Sequence, residues 1–325
     1  MAALLQVRDL MVVYRSRNRG ALTAAAGISL DVNEACTLAL IGESGSGKSS
    51  VARAICGLTP VAGGEIRIDD CNLPAQADPA VAAGQHGIQI VFQDATSSLD
   101  PRWPIWKSVA EPRRARSPSS SAEHRRVAIS LLQRIGLPAA LAERRPHQLS
   151  GGQRQRVTIA RALAAEPRIV ILDEAVSALD VSVRNEILAL LDELKRERGL
   201  TYLFISHDMG AVAQMASEVA VLYLGKVVES GSAEAVIRRP AHPYTRALIA
   251  AVPGIRTAKQ LNIYAIGEID DPANPPPGCR FHRRCPYAVE VCRSDEPVRR
   301  EYDFRSVACH RAEEITQLSA GIGGG

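Results

Sequence analysis

Hydrophobic positions along this chain change period several times, and each change marks an element. Leu38 to Ile41 is a short, wholly apolar run, which predicts a strand buried on both faces. A glycine-rich segment follows, and Ser49 to Leu58 then carries apolar residues at helical spacing. Ile88 to Phe92, Ile169 to Leu172 and Tyr202 to Ile205 are further apolar runs and predict strands of the same kind. Helical periodicity returns over Glu123 to Ile135, Gly152 to Ala165 and Asn185 to Arg198, with Pro167 stopping the second helix and Gly199 closing the third. Val219 to Tyr223 and Lys226 to Glu229 flank Leu224-Gly225 and predict a hairpin. Pro243 to Ala251 reads as helical, ending at Pro253. Strands alternating with helices predict an α/β fold with a mostly parallel sheet, preceded by a β-rich start. Pro101 to Ser121 is rich in Pro, Ser and Arg and reads as a flexible, solvated loop within a helical insertion over about residues 94–160. Beyond Pro253 the composition shifts to the turn-rich Asp270 to Pro277 and then to clustered cysteines. The chain therefore divides into residues 1–255 and a small C-terminal extension, 256–325.

Composition narrows the function classes. A formal charge of +4 is small for 325 residues and gives no electrostatic case for nucleic acid. No run approaches the ~18 apolar residues needed to cross a bilayer. Arg8 and Asp9 stand close behind a short apolar start, unlike a secretory signal. The expectation is a cytosolic chain whose membrane role comes through partners.

Two glycine-rich strings carry the chemistry. Gly42-Glu43-Ser44-Gly45-Ser46-Gly47-Lys48-Ser49 fits the phosphate-cradling P-loop and lies between a predicted strand and a predicted helix, as a genuine P-loop requires. Its backbone N–H groups and the helix N-terminus suit phosphate oxygens, Lys48 suits the β- and γ-phosphates, and the Ser49 hydroxyl suits Mg²⁺. Asp173-Glu174 ends an apolar strand at the sheet edge beside the P-loop. Asp173 is placed to hold Mg²⁺ through water and Glu174 to act as general base on the attacking water. His207 and Gln93 end two other strands, where they would reach the γ-phosphate and the Mg²⁺ or water. Tyr14 is a candidate to stack on adenine. The second string, Leu149-Ser150-Gly151-Gly152-Gln153, has no use on a lone P-loop ATPase. Its small residues and the Ser150 hydroxyl suit close approach to the γ-phosphate of a partner's nucleotide. Ser177 to Asp180 suits the loop that crosses between two such sites.

In this order the motifs resemble the ATP-binding subunit of an ABC transporter: Tyr14, the P-loop with Ser50 behind it, Gln93, Leu149 to Gln153, Asp173-Glu174, Asp180 and His207. The implied fold is a RecA-like P-loop NTPase core with an antiparallel β subdomain and a helical subdomain. Three further stretches are similar to the oligopeptide/dipeptide (peptide/nickel) importer ATPases: Val91-Phe92-Gln93-Asp94 with Ser98 to Arg102, His242 to Leu248, and Gly278 to Ala288 with Cys292 and Ala308-Cys309-His310. The sequence departs from many ABC ATPases at Ala175-Val176, where Pro-Thr is usual, and at Ser49-Ser50, where Thr is common; neither touches a charged group. The resemblance implies an ATPase that energises peptide uptake and works with a second ATPase subunit (a paralogue), two permease subunits and an extracytoplasmic solute-binding protein. It would sit on the cytoplasmic face of the membrane. An importer for nickel or another small solute is the alternative. A soluble ABC protein acting on DNA or ribosomes would usually carry two ATPase domains or a long coiled coil, and a vestigial ATPase would not keep Lys48, Glu174 and His207.

Of seven cysteines, Cys36, Cys56 and Cys71 read as small buried hydrophobes. Cys279, Cys285, Cys292 and Cys309 are separated by five, six and sixteen residues, unlike the paired spacing of zinc ribbons. Four thiolates suit a [4Fe–4S] cluster or tetrahedral zinc, and free thiols are the third reading. The family resemblance implies the iron–sulfur cluster.

Overall fold

The computed structural model describes residues 3–16, 20–69, 71–73, 86–177, 179–251 and 270–320. Two sheets organise them. The first is antiparallel, with strand order β2-β1-β4-β5, built from β1 (Ala3–Ser16), β2 (Gly20–Asn33), β4 (Gly63–Ile68) and β5 (Cys71–Asn72). The second has eight strands in the order β11-β12-β10-β9-β3-β8-β7-β6. Its parallel centre is β3 (Thr37–Ile41), β6 (Ile88–Val91), β7 (Ile169–Asp173), β8 (Thr201–Ile205) and β9 (Glu218–Tyr223). The antiparallel edge is β10 (Lys226–Ser232), β12 (Arg305–Val307) and β11 (Arg300–Tyr302).

The unbroken apolar runs follow from two-sided burial. In β7, Ile169 and Ile171 face the core shared with the antiparallel sheet and the Lys48–Ile55 helix. Val170 and Leu172 face the opposite core, shared with the other helices. Each fully buried side chain of this kind contributes roughly 1.5–3 kcal/mol of transfer free energy. Parallel pairing of β3, β8, β7 and β6 brings their C-terminal ends to one edge, and every candidate catalytic side chain follows one of those ends.

The segment Pro101 to Ser121 is mostly helical rather than a loop. Ile105–Arg116 is a helix, which corrects the sequence expectation. Ile105, Val109 and Ala110 are buried at i, i+4 and i+5, a narrow apolar stripe hidden among arginines. Arg113 pairs with Glu166 at 2.6 Å and Arg161 with Glu111 at 2.8 Å, so charges that read as solvated tie this helix to the Gly151–Ala164 helix and its C-terminal end. Cys71 is also exposed, unlike the buried residue expected, whereas Cys56 is buried.

The C-terminal extension adds to the main sheet. β12 pairs antiparallel with β10, Glu229 opposite Val307, and β11 pairs with β12. Arg305 is wholly buried there beside Glu229 at 3.8 Å, and its guanidinium donates to the carbonyls of Ala235 and Arg239. The boundary near residue 255 falls outside the described residues. Among the described residues no helix is long and apolar enough to cross a membrane.

Candidate nucleotide site

The P-loop leaves β3 at Ile41 and becomes helical at Lys48. Gly47 caps that helix at φ 106°, and a Cβ on it would lie 2.1 Å from the Ala24 carbonyl oxygen, so only glycine fits. Ser44 and Gly45 are exposed at the loop tip and Ser46 is buried. Lys48 is curled within the loop: its Nζ donates to the carbonyls of Gly42 (2.8 Å) and Glu43 (2.9 Å) and to Ser46 Oγ (3.3 Å). Burial lowers the Lys48 pKa, opposed by the charges of Glu174 and Asp173 nearby.

Ser49 Oγ donates to Asp173 Oδ1 at 2.9 Å, joining the P-loop helix to the end of β7. Burial raises the Asp173 pKa, and the Ser49 hydrogen bond opposes that rise. Glu174 follows at φ 50°, a left-handed backbone unusual for a non-glycine residue. Its N–H donates to the Ile205 carbonyl (3.0 Å) and its own carbonyl accepts from Ser177 Oγ (2.7 Å), which hold the strained residue in place. The Glu174 carboxylate accepts from Gln93 Nε2 at 2.9 Å and lies 3.5 Å from His207 Nδ1. Lys48, Ser49, Asp173, Glu174, Gln93 and His207 thus form one cluster drawn from four strand ends. Tyr14 is on β1, partly exposed, with its hydroxyl 3.3 Å from Ser50 Oγ, beside the same helix.

The second glycine string sits elsewhere, at the start of the Gly151–Ala164 helix. Ser150 Oγ accepts from Gln153 N–H (3.2 Å) while Gln153 Oε1 accepts from Ser150 N–H (3.0 Å), a reciprocal cap. Ser150 and Gly151 are exposed, and Gly151 faces open space. Gly152 packs against Val183 and Leu179. Asp180 caps the Val181–Arg198 helix by accepting from Val183 N–H (2.9 Å), which holds its carboxyl below the usual range; Ala178 lies outside the described residues. The string and Asp180 therefore make hydrogen bonds at their own helix starts and leave an exposed surface.

Two contacts were not anticipated from sequence. Glu43 N–H donates to the Tyr244 hydroxyl (2.8 Å), and Arg284 grips the Glu43 carboxylate. Tyr244 stands in the His242 to Leu248 stretch already singled out. Nothing in a linear reading pairs Glu43 with Arg284.

The four C-terminal cysteines are gathered closely enough for their thiols to interact electrostatically. Burial pushes Cys279 and Cys285 up to about 11 and Cys309 up to about 12, so each is a protonated thiol near neutral pH. Among the described residues no group of three or more His, Cys, Asp or Glu is arranged to hold a metal ion. The zinc and [4Fe–4S] expectations for Cys279, Cys285, Cys292 and Cys309 thus gain no support from this arrangement.

Residues 25–177 match the ABC transporter family, and residues 228–292 match the oligopeptide/dipeptide transporter C-terminal region. The di/tripeptide transport ATP-binding protein DppF of Pseudomonas aeruginosa is 38% identical over 97% of this chain and 99% of its own length. The oligopeptide transport ATP-binding protein OppF of Escherichia coli is 40% identical over 96% of this chain and 97% of its own. Among solved structures, the ATP-binding cassette MJ0796, a dimer in a post-hydrolysis state with ADP and Pi, superposes with a TM-score of 0.64 at 28% identity, covering 70% of this chain and 98% of that one.

Proposed function

Since the chain belongs to the ABC transporter ATP-binding proteins, close to the dipeptide and oligopeptide group, we propose that it hydrolyses ATP to energise the uptake of short peptides. The observation that carries this reading is the Ser49–Asp173 hydrogen bond, which joins the P-loop to the strand end bearing Glu174, itself in contact with Gln93 and His207.

Glu174 is the general base for the attacking water, oriented by Gln93 and His207. Lys48 binds the β- and γ-phosphates, exchanging the loop carbonyls it now contacts for phosphate oxygens. The amides of Gly45 to Ser50 cradle the phosphates, and Tyr14 stacks on the base. The hard oxygen donors of Ser49, Asp173 and Gln93 fit Mg²⁺, which would neutralise charge on the phosphates. The exposed Ser150 to Gln153 surface suits the nucleotide of a second subunit, and Asp180 the crossing between the two. The dimeric state of MJ0796 supports a two-subunit reading, which we take to be head to tail. In it, Lys48 of one subunit and Ser150 of the other hold one ATP, and we favour a paralogue as the second subunit.

The remaining partners are two permeases, docking near Gln93 and the helical insertion, and an extracytoplasmic solute-binding protein. The chain works peripherally, on the cytoplasmic face. We retain residues 1–255 as the ATPase domain and 256–325 as the extension. The likeness of this C-terminal region to that of the oligopeptide/dipeptide importers is what favours a cluster over zinc. Cys279, Cys285, Cys292 and Cys309 would hold a [4Fe–4S] cluster as a structural staple. Anaerobically purified protein should then contain iron and absorb in the visible; colourless, iron-free protein contradicts it. The ATPase reading is tested by MgATP hydrolysis with the full-length chain and its Lys48→Ala variant. Loss of hydrolysis in the variant alone supports it, and equal rates contradict it.

A further inference from the structure

The C-terminal extension reaches the P-loop through one side chain. Arg284 Nη1 donates to Glu43 Oε2 at 2.7 Å and Nη2 to Oε1 at 2.9 Å, a two-pronged ion pair between residues 241 apart in sequence. Arg284 is almost fully buried (side chain 8% exposed), and Glu43 is partly buried (27%). The same guanidinium lies 3.3 Å from the Tyr223 hydroxyl and over the rings of Tyr223 and Phe281. Tyr223, Tyr244 and Phe281 pack on one another with ring centroids 4.6–5.4 Å apart. The arginine is therefore fixed by a rigid aromatic floor.

All three polar functions of Glu43 are engaged. Its carboxylate meets Arg284, its N–H donates to Tyr244, and its carbonyl accepts from Lys48 Nζ. Two of these partners come from outside the loop. The phosphate-cradling pattern leaves the residue at this position unspecified, and a carboxylate there repels the anion the loop exists to bind. Arg284 cancels that charge and pins the residue whose carbonyl orients Lys48.

We propose that Arg284 is a positioning residue for nucleotide binding, acting through Glu43, so that the C-terminal extension is a working part of the P-loop. This rests on reading the P-loop as the nucleotide site. Without Arg284 the Glu43 carboxylate is left uncompensated beside the phosphates, so affinity falls through electrostatic repulsion. The hydrolytic groups at Glu174 are untouched. The effect therefore appears in binding and KM, with kcat held within about threefold.

The test is equilibrium binding of MgATP to the full-length chain, with steady-state kinetics in parallel. Arg284→Gln should weaken ATP binding roughly tenfold, the size expected for losing one charge-assisted hydrogen-bonded pair. Adding Glu43→Gln to that variant should restore affinity to within about threefold of the parent, because the repelling charge is gone. Arg284→Lys, which keeps a cation, should fall between. If Arg284 merely staples the extension in place, the double variant will bind no better than Arg284→Gln, and that result overturns the proposal. So does Arg284→Gln binding within twofold of the parent, or Arg284→Lys as weak as Arg284→Gln. A parent chain that binds no MgATP would instead overturn the underlying nucleotide-site reading, which separates the two failures.

Discussion

Replacing Glu174 by Gln removes one charge and keeps the side chain's shape. The acceptor role survives: an amide oxygen can still take the Gln93 Nε2 hydrogen bond now made at 2.9 Å, and His207 keeps a neighbour. The backbone constraints on residue 174 involve only its N–H and carbonyl, so the left-handed turn persists. What is lost is the ability to take a proton from water. Positioned general bases contribute about 10²–10⁴-fold, which at about 1.4 kcal/mol per decade corresponds to ~3–6 kcal/mol of barrier. Removing a carboxylate near the phosphates also relieves repulsion, so ATP binding should be equal or tighter. The assay is single-turnover hydrolysis of labelled ATP with binding measured separately. The expected outcome is hydrolysis slowed at least about 100-fold, with ATP affinity unchanged or improved. Hydrolysis within about threefold of the parent would refute the general-base assignment, and a large loss of binding at unchanged rate would refute the geometry behind it.

Other perturbations have defined outcomes. Gly47→Ala places a Cβ 2.1 Å from the Ala24 carbonyl at φ 106°, so the loop must shift; ATP titration should show affinity lost by more than tenfold, with the melting temperature lowered as expected for ~1–3 kcal/mol of backbone strain. Arg305→Ala leaves Glu229 buried beside a missing cation, although Ala241 and His242 N–H still donate to it; denaturant unfolding should show a loss of ~3–5 kcal/mol. His242 is buried and neutral, its Nδ1 accepting from Tyr244 N–H, and burial lowers its pKa to about 3 from an ordinary value near 6.5. The unfolded chain therefore binds a proton that the folded chain refuses. This contribution is complete above about pH 6.5 and declines by about 1.4 kcal/mol per unit as pH falls toward 3. His242→Asn should flatten the acid limb of the stability profile by one proton; an unchanged slope would contradict the neutral assignment.

The gathering of Lys48, Ser49, Gln93, Asp173, Glu174 and His207 was legible in sequence because each follows an apolar run. A parallel sheet buried on both faces writes such runs unmistakably, and it delivers their ends to one edge. The Ile105–Arg116 helix was illegible because three apolar positions carry it and its arginines pair with acids that sequence order does not bring near. The hairpin at Arg300–Val307 was missed for another reason. Its turn residues Asp303 and Phe304 both have positive φ without a glycine, and no apolar alternation marks its strands. The Arg284–Glu43 pair depends on the whole fold closing, so no local pattern encodes it. The cysteines were visible as a group, but their spacing could not say how their sulfurs would be arranged.

If ATP hydrolysis at this site drives peptide uptake, disabling the base must stop peptide entry into cells. The direct measurement is entry of a labelled dipeptide and a labelled oligopeptide into cells whose only copy of this chain is either the parent or the Glu174→Gln variant, with expression checked in both. Uptake of at least one peptide is expected with the parent, and its loss with the variant. Equal uptake in the two strains would contradict it.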